Sequence, residues 1–168
     1  TTLFWDKLNF STGVKAKLQV SQDRYSDFDY NENIFAVYGN IVYKQEKFDL
    51  GIGLRAEKSV ANLKDSFRNP VPAFLPYTSF RYRLSSKQNI QLSYNRSIRR
   101  PNVYQLNPYT AISDPYSVYK GNPFLRPELL GSIFLEHSIQ FNGNYFASRL
   151  FCNRTTDVIN NLTFISNT

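Results

Sequence analysis

The chain has 168 residues and a formal net charge of +7, from 20 Lys and Arg against 13 Asp and Glu. The basic residues are scattered and never form a run or a helix face, so the charge does not point to nucleic acid. Cys152 is the one cysteine and His137 the one histidine, which excludes an internal disulfide and leaves no cluster with metal-ligand spacing.

The length suits one domain, and no shift in composition marks a linker. With 14 Phe and 12 Tyr, and with Gly and Pro gathered between alternating apolar runs, the chain reads as all-β. The opening TTLFW carries no signal-peptide pattern and reads as an internal start, not a natural one. No run of eighteen apolar residues is present, yet strands of a membrane barrel leave a far weaker apolar signal than a transmembrane helix.

In chain order, Gly13–Val20 sets Val14, Ala16, Leu18 and Val20 against Gly13, Lys15, Lys17 and Gln19. Ile34–Tyr43 is apolar on both faces, which predicts contact with another element. Phe48–Glu57 alternates cleanly: Phe48, Leu50, Ile52, Leu54 and Ala56 oppose Asp49, Gly51, Gly53, Arg55 and Glu57. Thr78–Leu84 and Asn89–Ile98 repeat the pattern, and Ser132–Phe141 puts Ile133, Leu135, His137 and Ile139 on its apolar side. Tyr145–Thr155 is again apolar on both faces. Further strands are conceivable at Leu3–Phe10 and Leu162–Ile165. Such alternation means one dry and one wet face.

The connections sort by length. Tyr43–Lys47, Ser85–Gln88 and Asn142–Asn144 are tight polar turns, whereas Ser21–Asp29, Ser59–Val71 and Arg99–Pro127 are long. Short and long links therefore alternate, as the periplasmic turns and outer loops of an outer-membrane barrel do. Strands of about nine to eleven residues match a tilted membrane crossing. Tyr43, Phe48, Tyr77, Tyr82, Phe141 and Tyr145 lie near strand ends, where interfacial girdles would place them.

The stretch Ser93–Glu128 is the most specific part of the chain. Its loop is longer than compact domains usually carry without a functional reason. The pieces Tyr94-Asn95-Arg96, Arg100-Pro101, Leu106-Asn107-Pro108-Tyr109 and Gly121-Asn122-Pro123-Phe124-Leu125-Arg126-Pro127-Glu128 follow in that order. Together with Tyr30–Tyr38, Gly53–Glu57 and Pro72–Pro76, they resemble the C-terminal barrel region of TonB-dependent outer-membrane receptors. The likeness is nearest to the outer-membrane β-barrel family proteins.

That resemblance implies an antiparallel transmembrane β-barrel of about 22 strands with an internal plug. Residues 1–168 would supply seven to eight strands of it, without the plug, the TonB-contacting segment or the closing strand. It also implies a multi-pass protein of a Gram-negative outer membrane that takes up a glycan, peptide or metal chelate. The implied partners are outer-membrane lipid, its own plug, the TonB complex and a surface lipoprotein, with no nucleic acid. A structural or assembly barrel without uptake, or a soluble all-β glycan-binding domain, are the alternatives.

No catalytic constellation emerges. Glu32, Glu57, Glu128 and Glu136 fall on different strands, so no enzyme activity, cofactor or metal is expected. For ligand contact at the rim, the loop offers Arg99, Asn102, Tyr104, Gln105, Tyr109, Asp114, Tyr116 and Tyr119, since rings and amides suit amphipathic ligands. Arg100, Pro101, Asn107, Asn122, Arg126 and Glu128 read instead as anchors of the loop. The loop prolines fix φ and remove donors, which favours an ordered excursion outside the sheet.

Overall fold

The computed structural model describes residues 7–23, 28–63, 66–114 and 117–164. Its frame is one antiparallel sheet built from β1 (Leu8–Asp23), β2 (Phe28–Lys44), β3 (Phe48–Leu63), β4 (Ser66–Ser85), β5 (Gln88–Arg99), β8 (Glu128–Phe141) and β9 (Asn144–Thr156). Neighbours in sequence are neighbours in the sheet, except that β5 pairs with β8 across the long loop. The loop holds a helical turn, α1 (Val103–Leu106), and a small hairpin of β6 (Ala111–Asp114) and β7 (Ser117–Tyr119). The chain is thus a meander of seven paired strands, the unit from which an up-and-down barrel wall is made.

Register places each apolar set on one face. Val14, Val37, Ala56 and Phe74 share a rung, and Phe48 pairs with Tyr82 lower down. Val14, Phe35, Val37, Ile52, Leu54, Leu92, Leu135 and Leu150 are all exposed on that face. A soluble fold would bury such a patch, since exposed apolar areas of this extent mark contact with protein or lipid. The other face carries Lys15, Lys17, Glu32, Asp49, Arg55, Glu57, Arg81, Gln91 and Glu136, matched across the strands. Half of the charges among them form ion pairs within the wall. Arg55 meets Glu57, Arg83 meets Asp49 and Arg149 meets Glu136.

The tight turns lie where the alternation breaks. Asn142 and Gly143 have φ of 47° and 79°, the left-handed pair that a two-residue hairpin requires. At this end of the sheet Tyr43, Phe48 and Phe80 form a chain of rings 5.9 and 6.0 Å apart on the apolar face. Tyr82 stacks 6.5 Å beyond Phe80. That chain is an aromatic girdle at the short-turn side. Tyr77 and Tyr145 do not belong to it: pairing with Asn95 and Gln140 sets both on the polar face. Tyr77 lies over Gly51 and Gly53, whose missing side chains leave room for its ring.

Three other expectations are corrected. The strands run 12 to 20 residues, from just over the length of a crossing to nearly twice it. The Ser59–Val71 link is mostly strand, because β3 and β4 stay paired as far as Leu63 and Ser66. Ladder hydrogen bonds continue above the membrane at little cost, and the irregularity between Ser59 and Ala61 absorbs Pro70. Pro72 and Pro76 stay in register with β3, while β4 has no β5 partner beyond Tyr77. A residue without an N–H fits only where its nitrogen faces no ladder, so these prolines end the β4–β5 pairing. Finally, Leu8–Phe10 is the start of β1, Leu162–Phe164 is not strand, and Leu3–Asp6 and Ile165 lie outside the described residues.

Candidate functional site: the inward-folded loop

After Arg99 the chain leaves the sheet and crosses the polar face. The Arg100 guanidinium reaches over β4 to the carboxylates of Glu57 on β3 and Glu32 on β2, the latter at 3.1 Å from its Nε. Glu57 also accepts from Arg55 Nε at 2.9 Å. Two carboxylates and two guanidiniums therefore form one cluster under the loop, with the Glu57 side chain only 1% exposed.

Beside this cluster lies the chain's small apolar core. Leu106 is fully buried against Tyr30 and Ala61, with Val103 and Leu125 packed around them. Tyr30 is thus buried under the loop, and Ile34 and Ala36 are buried on the same polar face of β2. β9 differs. Phe151 is on the same face and stays exposed, while Arg149 sits 4.8 Å above the neighbouring Phe134 ring.

The loop holds itself together by local polar bonds. Asn102 and Gln105 form a reciprocal cap on α1: the Asn102 side chain accepts from the Gln105 amide at 2.9 Å and the Gln105 side chain from the Asn102 amide at 3.0 Å. The amides of Gly121 and Asn122 donate to the carbonyls of Asn107 and Gln105 at 2.8 and 2.7 Å, which closes the two arms of the loop. The Asn107 and Asn122 side chains each accept at 2.9 Å from an amide two residues on, Tyr109 and Phe124.

Gly121 is required by this closure. A Cβ there would lie 2.5, 2.6 and 2.7 Å from the carbonyl oxygens of Tyr104, Gln105 and Asn107. Backbone cannot yield as a flexible side chain can, so Gly121→Ala is expected to separate the arms. The loop should then become cleavable by protease in outer-membrane preparations, with the strands still protected.

At the exit, Glu128 is buried and accepts from Arg99 Nη2 and from the Ile159 amide, each at 2.6 Å. Arg99, and then the Ile159 amide, hold the Glu128 carboxyl below the usual carboxylate range. This clamp fixes the two ends of the loop and the segment after β9.

The residues expected at the rim thus divide by position. Arg99, Asn102 and Gln105 all carry bonds within the chain, whereas the rings of Tyr104 and Tyr109 are exposed. Tyr119 is half-buried in β7, the Asp114 backbone is in β6, and Tyr116 lies outside the described residues. Among the expected anchors, Arg100, Asn107, Asn122 and Glu128 make the contacts given above. Pro101 is buried, and Arg126 is exposed. Sequence reasoning did not single out Leu106 or Leu125, the apolar studs of the loop, nor Glu57 and Glu32 as its receptors. The apolar positions of β2 on its polar side were the signal that something packs there. Among the described residues, no group of His, Cys, Asp or Glu is arranged to hold a metal.

A meander with an apolar outer face, an aromatic girdle at the short turns and a long loop folded onto the charged face is a segment of transmembrane β-barrel wall. The charged face is the lumen and the apolar face meets lipid. The chain belongs to the outer membrane protein beta-barrel family, whose model matches residues 4–168. It is therefore an outer-membrane protein. Among curated proteins no sequence match is found. Of solved structures, one described as the copper transporter OprC is similar over 92% of this chain, with 13% identity and a TM-score of 0.64. At that identity the likeness is one of fold. The chain spans 28% of that structure's length.

Proposed function

We propose that this chain is part of the barrel of a TonB-dependent receptor that takes up a nutrient across the outer membrane by active transport. The observation that carries this reading is the loop itself, fastened to the lumenal wall rather than left outside. A wall needs no such insert, but an uptake path needs its mouth narrowed and lined with ligand-facing groups. Tyr104 is exposed on the helical turn and Tyr109 on the arm that follows it. Their rings would meet a glycan, a peptide or a metal chelate entering from outside. In this mechanism the wall stays passive and satisfies every backbone group in lipid, while an inner-membrane motor pulls a plug through TonB.

The test is uptake by cells carrying the full-length protein. Tyr104→Ala with Tyr109→Ala is expected to lower uptake of its nutrient about tenfold or more, as stacking of about 0.5–1.5 kcal/mol per ring would give. Deletion of the TonB-contacting segment should abolish uptake. Uptake that survives that deletion would leave a structural barrel as the better reading.

A further inference from the structure

The apolar face is not uniform. Two adjacent rungs near its outer end read Val14, Val37, Ala56, Phe74 and Ala16, Phe35, Lys58, Pro72. Small residues at Ala16 and Ala56 stand beside Phe35 and Phe74, which project from their strands, 54% and 61% exposed. The result is a groove of about 500 Å³, almost wholly apolar in lining, with Lys58 at its edge. That volume falls inside the range of roughly 300–1,000 Å³ typical of small-molecule sites.

Lys58 stands at the outer end of the crossing. Counted from Phe48 at the short turn, it is about the eleventh residue of β3, the length a tilted strand needs to cross the hydrocarbon. Arg154 holds the same place on β9, and Arg96, two strands away on β5, shares the face. Lys58 is exposed and makes no ion pair among the described residues. Within the sheet strands Glu32, Asp49, Glu57, Glu128 and Glu136 lie on the lumenal side, while Asp29, on the apolar face of β2, stands six residues beyond Phe35, the partner of Lys58. This face therefore offers hydrocarbon-binding space with unanswered positive charge at headgroup level.

We propose that this groove is a binding site for a phosphorylated lipid of the outer leaflet. One acyl chain lies between Phe35 and Phe74 over Ala56, and a headgroup phosphate meets the Lys58 ammonium. A lipid satisfies both features at once: its chain replaces the missing side-chain volume, and its anion reaches a cation that the wall leaves unpaired. The site needs the outer-membrane setting but not the transport reading, so either can fail without the other.

The experiment uses the full-length protein purified in detergent and titrated with bis-phosphorylated lipid A or its dephosphorylated form. Native mass spectrometry counts retained lipid. The wild type is expected to keep one phosphorylated lipid. Lys58→Ala should weaken it about fivefold, the weight of one basic side chain near an anionic surface, and Lys58→Glu should weaken it further. Ala56→Phe, which fills the groove, should abolish retention while the protein still shows the heat-dependent gel migration of a folded barrel. If Ala56→Phe impairs assembly, the exposed Lys58 variants carry the test alone. The proposal is overturned if folded wild type and Lys58 variants bind alike, or if the dephosphorylated lipid binds as tightly. It is also overturned if a cysteine at Val37 cross-links to a second protein where the lipid should lie.

Discussion

Replacing Arg100 by alanine is expected to free the long loop from the lumenal wall while leaving the wall intact. Arg100 reaches Glu57 and Glu32, whose side chains are 1% and 8% exposed. Removing one partner of a buried charge cluster costs about 3–5 kcal/mol, because the remaining charge is left uncompensated. Here the lower end applies, since Glu57 retains Arg55 at 2.9 Å and a barrel interior admits water. Even that cost falls on a local unit. The contacts under the loop are Leu106 with Tyr30 and Ala61, and the Glu128 clamp, whereas the strands are held by continuous ladders. Arg100→Ala outer membranes should therefore show new protease cleavage within residues 103–125, with unchanged barrel assembly. Arg100→Lys should restore only part of the protection, because an ammonium cannot fork between two carboxylates. An equally protected loop in Arg100→Ala would show that the ion cluster does not hold it.

The wall was readable from sequence because period-two alternation is a strong signal when one face meets lipid and the other water. Phe48–Glu57 is the clear case: each of its residues stands on the face that its parity assigned. The strand ends were not readable. Above the membrane no dry face exists, so Ser59–Leu63 and Ser66–Val71 look like loop although their backbone stays paired. Parity also corrected Tyr77, whose type suggested a girdle but whose register puts it in the lumen.

The loop shows the opposite imbalance. Its motif residues could be recognised, but their tasks depend on distant partners. Within Gly121–Glu128, Gly121 permits close approach of the arms, Asn122 makes the turn, Leu125 joins the core and Glu128 clamps the exit. Phe124, 80% exposed, and Arg126 face outward instead. No local pattern reveals that Arg100 answers Glu57, forty-three residues earlier, because a long-range ion pair leaves no periodicity.

The assignment of faces makes a sharper demand, and β5 alone can meet it. Leu92 lies on the apolar face, near the middle of the crossing, and pairs with Leu135. Asn95 lies on the opposite face of the same strand, paired with Tyr77 and Ser132. An arginine at the lipid-facing midplane of a barrel costs about 2–4 kcal/mol, whereas a lumenal substitution alters the interior without that penalty. Leu92→Arg should therefore reduce the folded, heat-modifiable fraction and lower the urea midpoint by an amount corresponding to about 2–4 kcal/mol. Asn95→Arg should assemble normally, since its side chain enters a wet space already lined by Arg81 and Gln91. Equal tolerance of both would mean that the apolar face meets water rather than lipid. The reverse result would exchange the two faces, and would put Lys58 and its groove inside the barrel. A single pair of variants thus tests the feature on which the lumenal loop and the lipid site both depend.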